Sequence, residues 1–257
     1  MSGEKVRVAK DGAITTVTIN RPERRNAVDI ETGKLLLAAF LEFDADETQS
    51  VAILRSTGPV FCAGFDLKSL SGTGIDYDAV GDGAMGPSRR LLSKPVIAAV
   101  EGYAVAGGLE LALWCDLRVA ARSASFGVFC RRWGVPLIDG GTVRLPRLIG
   151  HSRALDMILT GREVKAQEAL EMGLANRLVE DGEAYDEARR LAEQLCQFPQ
   201  TCMRVDRMTS YRQWGMDLAD ALTLEGVEGE KPLQEEARKG ASRFASGLGR
   251  SGDFSSI

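Results

Sequence analysis

The chain has 257 residues, of which 44% are hydrophobic and 26% charged, and its formal net charge is −4. These values are typical of a globular protein with a sizeable core, and the negative balance argues against a nucleic-acid partner, which needs a basic face. No apolar run is long enough to span a membrane, and the five cysteines lack the spacing of a disulfide framework or a zinc site. We therefore expect a cytoplasmic protein with no membrane partner.

The first predicted elements are a hairpin, a helix and a buried strand. Residues 6–10 and 13–20 alternate in hydrophobicity on either side of Asp11-Gly12, which predicts a β-hairpin. An apolar stripe predicts a helix over residues 30–44. The β-branched run at residues 51–55 predicts the strand that follows it.

Residues 71–87 are rich in Gly, Asp and Ser, which predicts a mobile loop. Strands and helices follow one another again after this loop. Beyond this loop the predicted elements are strands at 96–100, 117–121 and 176–179 and a helix at 107–115. From residue 151 the sequence is otherwise mainly helical, and from residue 201 no strand signal remains. Recurring strand–turn–helix units followed by helices predict an α/β fold class.

Two known functional motifs are suggested by the residues, but each lacks the neighbouring sequence that its function requires. A G-x-G-x-x-G occurs at Gly81, Gly83 and Gly86, but no buried strand precedes it and Pro87 follows it. A dinucleotide site needs both a strand before and a helix after the glycines, so we exclude one. His151 is the only histidine and has no G-x-S-x-G turn near it, which argues against a Ser-His-Asp hydrolase and excludes a histidine metal cluster.

Two glycine-containing segments, residues 61–67 and 102–110, each follow a buried strand and lead into a helix. Glycine at such a turn lets the backbone approach a ligand and direct free N–H groups at it. Two such groups aimed at one point form an oxyanion hole, and Glu110 adds a carboxylate one helical turn further on. The combination predicts enolate chemistry on an acyl group.

Glu110 has a structural alternative, because the helix dipole favours an acidic residue in the first turn of a helix. Its helix is apolar nearly all round, however, which predicts that Glu110 is buried. A buried carboxylate is unfavourable unless it is paired or functional, and we therefore assign it to the site. Asp66, by contrast, is expected to cap the helix that follows the first glycine segment.

With these features the chain resembles the enoyl-CoA hydratase/isomerase (crotonase) superfamily over about residues 5–200. The matching segments are Asn20-Arg21-Pro22, Arg25-Asn26-Ala27, residues 62–67, residues 94–100, residues 107–112, Cys115-Asp116, Gly140-Gly141-Thr142 and Arg144-Leu145. The resemblance implies a crotonase-like spiral of ββα units over residues 1–200 and a C-terminal helical region over 201–257. It also implies that the second region serves oligomerisation and active-site cover, in a homotrimer or a hexamer made of two trimers.

The resemblance further implies an acyl-CoA thioester as the substrate, with coenzyme A as part of that substrate and no separate cofactor or metal. By position, the N–H groups of Phe65 and Gly107 match the oxyanion hole, and Glu110 matches the glutamate that holds and activates water. The residues that match substrate-binding or CoA-binding positions are Arg24, Arg25, Ala27, Ala63, Gly64, Asp66, Leu67, Lys68, Gly108 and Cys130.

One position departs from the hydratase pattern, because Cys130 stands where the second catalytic glutamate is expected. A thiol, with an ordinary pKa of about 8.5, is a poor substitute for a carboxylic acid that protonates carbon. Asp139 is the nearest replacement acid, although it could instead cap the helix that opens at Gly140. Arg131 and Arg132 could pair with Asp139 or with an acidic substrate, or could simply be solvated.

Three functions remain open on this basis. The leading one is an enoyl-CoA hydratase that adds water to a 2-trans-enoyl-CoA, with Glu110 as general acid/base and Asp139 assisting. The second is a single-carboxylate isomerase that moves a 3-enoyl double bond into conjugation. The third is a non-catalytic acyl-CoA-binding or assembly protein. Loss of the second glutamate favours the isomerase, whereas retention of the water-binding one favours the hydratase.

Overall fold

The computed structural model describes residues 4–70 and 78–249, and within this part of the chain nine strands alternate with ten α-helices. The strands are β1 (Val6–Asp11), β2 (Ile14–Ile19), β3 (Val51–Ser56), β4 (Val96–Val100), β5 (Tyr103–Val105), β6 (Leu117–Ala121), β7 (Ser125–Gly127), β8 (Val164–Lys165) and β9 (Arg177–Val179). The helices are α1 (Ile30–Ala45), α2 (Leu67–Leu70), α3 (Gly107–Trp114), α4 (Gly141–Ile149), α5 (His151–Thr160), α6 (Ala166–Glu171), α7 (Ala184–Gln197), α8 (Gln200–Arg212), α9 (Leu218–Pro232) and α10 (Arg238–Ala245). Shorter turns of 3₁₀ helix lie at Pro22–Arg24, Pro87–Arg89 and Phe129–Trp133, and a π-helical turn lies at Leu233–Ala237. The predicted α/β class is confirmed.

The main sheet has six strands in the order β1-β2-β3-β4-β6-β9. β1 and β2 pair antiparallel through a turn in which Gly12 has a φ of 56°. The other neighbours in this sheet pair in parallel, which requires crossover connections; α1 lies between β2 and β3, and α3 between β4 and β6. Because the carboxyl ends of β3 and β4 lead into the two glycine segments, the parallel pairing brings those segments together.

The larger elements begin and end within one residue of their predicted positions, so the predicted hairpin, helices and strands up to residue 121 are confirmed. β5, β7 and β8 were not predicted, and the region after residue 151 therefore contains a second short strand besides β9. These three strands form a separate sheet in the order β5-β7-β8. Strands of two or three residues are too short to show an alternating pattern, which is why the sequence does not reveal them.

The predicted mobile loop at 71–87 lies partly outside the described residues, which resume at 78. From Gly83 onward the described part is largely buried, and the guanidinium group of Arg89 holds it in place. Arg89 Nη1 donates to the carbonyl oxygens of Ala79 at 2.9 Å and Gly81 at 3.2 Å, while its Nε donates to Ile138 O at 3.1 Å. From Gly83 onward the segment is thus a packed wall rather than an open loop, whereas residues 78–80 are exposed.

The described residues up to Ala192 form one compact unit, and those from Glu193 form a second, helical one. The expected boundary near residue 200 and the expected roles of the second unit remain predictions. In the described ranges, no helix combines the length and the apolar character that crossing a membrane would require.

Candidate functional site

The first glycine segment runs from β3 to α2 and lies against the start of α3. Gly64 has a φ of 98°, a conformation that favours glycine. A Cβ atom at Gly64 would lie 3.0 Å from the nitrogen of Gly107 and 2.9 Å from the Cβ of Ala106. A bridge between Cys62 and Ala104 joins the same two segments. The absence of a side chain at Gly64 therefore allows the two turns to approach each other closely.

The second glycine segment places a free N–H group at the start of α3. A Cβ atom at Gly108 would lie 2.1 Å from the carbonyl oxygen of Cys62, so this position also requires glycine. Among residues 4–70 and 78–249, no acceptor is found for the N–H of Phe65 or for that of Gly107, and both residues line the same cavity. Unpartnered backbone N–H groups in a protein interior are rare. The arrangement can therefore supply two donors to an oxygen atom of a ligand.

Glu110 lies in the first turn of α3 with only 2% of its surface exposed, as the apolar helix predicted. Its Oε1 accepts hydrogen bonds from the backbone N–H groups of Asp139 and Gly141, each at 2.9 Å. Burial raises the pKa of Glu110 to about 7, the charge of Asp139 acts in the same direction, and the two N–H groups and Arg144 oppose it. A carboxyl group with this pKa can both accept and donate a proton near neutral pH.

Asp139 is also buried, at 3% exposed, and it lines the same cavity. Its Oδ1 accepts from the backbone N–H of Met85 at 3.0 Å and from the hydroxyl group of Ser88. The alternative that Asp139 caps the following helix is wrong, because Gly140 is the N-cap residue of α4 and no side chain caps that helix. The segment containing Met85 and Ser88 is more than fifty positions away in sequence, and local pattern cannot indicate such a partner.

Arg131 and Arg132 do not pair with Asp139. Arg131 Nε donates to the carbonyl oxygen of Ile158 at 3.0 Å, and the guanidinium group of Arg132 lies 4.3 Å from the ring centre of Phe129. Both residues are exposed, and their pairing with an acidic substrate stays a prediction.

Cys130 is 7% exposed and lines the cavity that Glu110 also lines. Burial raises the pKa of its thiol, and the charge of Glu110 adds to the effect. The group is therefore held neutral at physiological pH and is a weak acid at the position where the sequence led us to expect a carboxylic acid.

The cavity brings together about half of the residues proposed from sequence. Those that line it are Ala63, Phe65, Leu67, Gly107, Glu110, Cys130 and Asp139. Gly64 and Gly108 are buried where the two turns meet. The remaining five, Arg24, Arg25, Ala27, Asp66 and Lys68, are not among its lining residues.

The segment that contains Arg24, Arg25 and Ala27 nevertheless lies beside the first turn. The N–H of Ala63 donates to the carbonyl oxygen of Arg25 at 3.1 Å, and Asp66 Oδ2 pairs with Arg21 Nη2 at 3.2 Å. Asp66 Oδ1 also accepts from the N–H of Lys68 at 3.3 Å, in keeping with its predicted capping role. Arg24, Arg25 and Lys68 are exposed, whereas Ala27 is buried.

The cavity has a volume of about 610 Å³ and a mainly apolar wall. Much of that wall was not predicted from the sequence, and it includes Ile30, Leu37, Met85, Trp133, Val135 and Ile138. Ile30 and Leu37 are seven residues apart on α1, a spacing that places them on one side of the helix. That stripe was visible in the sequence, but the packing of the chain decides which side of α1 faces the cavity. In the described ranges, no three His, Cys, Asp or Glu side chains are grouped as metal ligands.

Comparisons with known proteins agree with the resemblance seen in the sequence. The family model described as enoyl-CoA hydratase/isomerase matches residues 9–248. Enoyl-CoA hydratase EchA19 of Mycobacterium tuberculosis is 42% identical over 199 residues, which is 75% of this chain and 74% of the relative. Carnitinyl-CoA dehydratase of Salmonella enteritidis is 41% identical over 195 residues, with 75% and 74% covered.

Solved structures match the described fold over almost its full length. The crystal structure of enoyl-CoA hydratase EchA1 from Mycobacterium marinum has a TM-score of 0.88 and 36% identity, covering 94% of this chain and 96% of that one. An enoyl-CoA hydratase from Bacillus anthracis has a TM-score of 0.85 and 29% identity, with 95% and 96% covered. The predicted crotonase-like fold with a C-terminal helical region is confirmed.

Proposed function

The chain belongs to the enoyl-CoA hydratase/isomerase family, and we propose that it is a hydratase that adds water across the double bond of a 2-trans-enoyl-CoA thioester. The observation that carries this proposal is that Glu110 lines the same cavity as two N–H groups, of Phe65 and Gly107, that have no acceptor in the described residues. This is the donor and carboxylate arrangement that enolate chemistry requires.

The two N–H groups bind the thioester oxygen. When water adds to C3, the electrons of the double bond move to C2 and onto the thioester, so that negative charge develops on that oxygen. Fixed donors at this point stabilise the enolate more than the neutral thioester, and losing one such donor typically lowers the rate by about 10²–10³.

Glu110 carries the proton in both directions. Its Oε1 is held by two backbone N–H groups, and its Oε2 accepts no hydrogen bond from the described residues. In the ionised form the carboxylate removes a proton from water as the oxygen attacks C3. The same carboxyl group then returns that proton to C2 of the enolate, which gives the 3-hydroxyacyl-CoA. One water is added, and the balance needs no further acid, cofactor or metal.

The acyl group that this cavity accepts is apolar. The wall is mainly apolar, and one of the carboxylates at its edge, that of Asp82, is already paired with Arg90. The cavity therefore favours an uncharged enoyl chain.

The presence of Cys130 supports a second candidate function, the shift of a 3-enoyl double bond into conjugation. One base suffices for that reaction, since it removes a proton from C2 and returns it to C4. The neutral thiol of Cys130 in place of a second carboxylic acid favours it.

Oligomerisation and location are proposed together with this activity. We infer a cytoplasmic homotrimer or hexamer, and exposed apolar side chains of the second unit support self-association. Leu218, Leu222 and Phe244 are 76%, 59% and 62% exposed in the single chain. Light scattering after gel filtration measures the oligomeric state directly.

The function is tested by incubating the purified protein with crotonyl-CoA and, separately, with 3-hexenoyl-CoA in D₂O and following the products by mass. Glu110→Gln is compared with Glu101→Gln. Glu101 is a matched control because its carboxylate also accepts backbone N–H groups, from Gly182 and Ala184, outside the cavity.

Formation of hydroxyacyl-CoA that is lost in Glu110→Gln and retained in Glu101→Gln supports the hydratase. Conjugated enoyl-CoA without hydration identifies the isomerase instead. Tight binding of both thioesters with no turnover by the unmodified protein contradicts both and favours the acyl-CoA-binding function.

A further inference from the structure

A cluster formed by the buried residues Ser88 and Asp139 and the half-buried Arg144 lies against Glu110. Ser88 is fully buried, and its hydroxyl group donates to Asp139 Oδ1. Arg144 Nη2 donates to the carbonyl oxygen of Ser88 at 2.7 Å, and its Nη1 donates to that of Asp139 at 3.1 Å. The cluster therefore ties the wall segment after Gly83 to the loop before α4.

The wall segment is shaped to fit this carboxylate. A Cβ atom at Gly83 would lie 1.9 Å from Ser88 Oγ and 2.3 Å from Asp139 Oδ1, so only glycine allows the backbone to pass there. The next donor, the N–H of Met85, reaches the same oxygen at 3.0 Å. Met85 in turn packs against Gly107 at the start of α3. A Cβ atom at Gly107 would lie 2.5 Å from the Sδ atom of Met85.

Asp139 therefore touches two parts of the site in different ways. Its carboxylate bonds to the wall segment, through Ser88 and Met85. Its backbone N–H bonds to Glu110 Oε1 at 2.9 Å. No hydrogen bond among the described residues joins the two carboxyl groups directly.

The electrostatic surroundings of Glu110 are set by a few groups. Asp139 raises the pKa of Glu110 in addition to burial, whereas Arg144 and the N–H of Gly141 lower it. The thiol of Cys130 also faces this carboxyl group and is neutral. Asp139 thus supplies a negative charge that adds to the effect of burial on Glu110.

We propose that Asp139 is a positioning residue that acts through Glu110, held in that role by Ser88, and that proton transfer belongs to Glu110 alone. The proposal rests on the proposed role of Glu110 as the general acid/base. It replaces the second-acid role that the sequence led us to expect for Asp139, and the two roles give opposite results in one experiment.

The experiment titrates the carboxyl group of Glu110 by infrared difference spectroscopy, using Glu110→Gln to identify its band. Asp139→Asn removes the charge but keeps an oxygen that can accept from Ser88 and Met85. We expect the midpoint of Glu110 to fall by about one pH unit, because a neighbouring negative charge has been removed. In crotonyl-CoA hydration, we expect the acid limb of the kcat profile to move with it and the plateau to fall less than about tenfold.

Ser88→Ala and Asp156→Asn complete the series. Ser88→Ala keeps the charge of Asp139, so the midpoint of Glu110 must not fall, while the plateau kcat drops less than about tenfold. Asp156 pairs with Arg162 at the surface, and Asp156→Asn controls for the loss of one carboxylate. Circular dichroism and binding of butyryl-CoA verify that each variant is folded.

A loss of plateau kcat in folded Asp139→Asn as large as that in Glu110→Gln would overturn the proposal and make Asp139 the proton donor. An unchanged midpoint in Asp139→Asn, or a lowered one in Ser88→Ala, would overturn it as well. The infrared titration needs no turnover. If the unmodified protein converts neither thioester, the proposed function fails while the link between Asp139 and Glu110 is still decided.

Discussion

Glu110 is expected to destabilise the folded chain at neutral and alkaline pH, so that the substitution Glu110→Gln removes activity and increases stability. Burial raises the pKa of this carboxyl group from an ordinary 4.5 to about 7. The folded chain then binds the proton more tightly than the unfolded chain does. The stabilisation associated with protonated Glu110 is fully present below pH 4.5 and is lost as the pH rises through 7.

The magnitude follows from the difference between the two pKa values. With 4.5 for the unfolded chain and about 7 for the folded one, the loss at high pH amounts to about 3 kcal/mol. About half of it, roughly 1.5 kcal/mol, accumulates between pH 6 and pH 8.5. Only 2% of Glu110 is exposed, so solvent screening reduces this value little. The Oε1 atom of a glutamine can accept the same two N–H groups, and the comparison therefore isolates the charge.

The assay is urea-induced unfolding at pH 6 and at pH 8.5, followed by circular dichroism. The free energy of unfolding of Glu110→Gln should gain about 1.5 kcal/mol relative to the unmodified protein between these pH values. Glu101→Gln controls for the loss of a carboxylate that accepts backbone N–H groups outside the cavity. A gap that stays constant with pH, or the same change in Glu101→Gln, would refute the attribution to burial of Glu110.

Three further predictions concern Gly83 in the wall segment, the buried Arg118, and Cys130 in the cavity. Gly83→Ala should lower the free energy of unfolding by about 1–3 kcal/mol in a thermal or urea titration, because the methyl group would lie 1.9 Å from Ser88 Oγ. Arg118→Met should lower it by about 3 kcal/mol, since the buried guanidinium group donates to several carbonyl oxygens, while turnover per folded molecule stays unchanged. Cys130→Glu should raise kcat for crotonyl-CoA hydration at least about tenfold, because it supplies a second carboxylic acid beside Glu110.

Each of these substitutions has a matched control in the described chain. Gly226→Ala introduces a methyl group where nothing lies within 4 Å, and it should not destabilise. Arg7→Met removes an exposed arginine from β1, and Cys202→Glu replaces an exposed cysteine of α8. Equal effects in a variant and its control would contradict the corresponding prediction.

The sequence predicted the two glycine turns and the burial of Glu110 because their signals are local. A β-branched run followed by glycine and then an apolar helix occupies about a dozen consecutive residues, and each part can be recognised by itself. Burial of Glu110 also followed from its own helix, since α3 is apolar on every side. The structure adds only the partners of Oε1, the N–H groups of Asp139 and Gly141.

The role of the wall segment could not be predicted in the same way. Its glycines suggested mobility, yet Gly83 and Gly86 are needed for close approach: a Cβ atom at Gly86 would lie 2.6 Å from the carbonyl oxygen of Gly33 on α1. Composition cannot distinguish a glycine that makes the backbone flexible from one that allows neighbouring atoms to approach the backbone closely. Likewise, Asp139 next to Gly140 suggested a helix cap, because its partners Ser88 and Met85 are distant in sequence.

The site combines several features that are unfavourable for folding, and their common position is itself an argument for function. Glu110 is buried, two N–H groups lack acceptors in the described residues, and Ala106 has a φ of 53°, a left-handed conformation that strains a residue with a side chain. Glu110, the N–H of Gly107 and Ala106 lie in one short stretch around the start of α3, and Phe65 lies in the glycine turn packed against it. Each would be relieved by a simple substitution or by a partner elsewhere in the fold, and the rigid contacts of Gly64 and Gly108 hold them in place instead. Catalysis requires donors and a carboxylate that are fixed in place before the substrate binds. Locally unfavourable features that converge on one cavity are therefore expected at a catalytic centre.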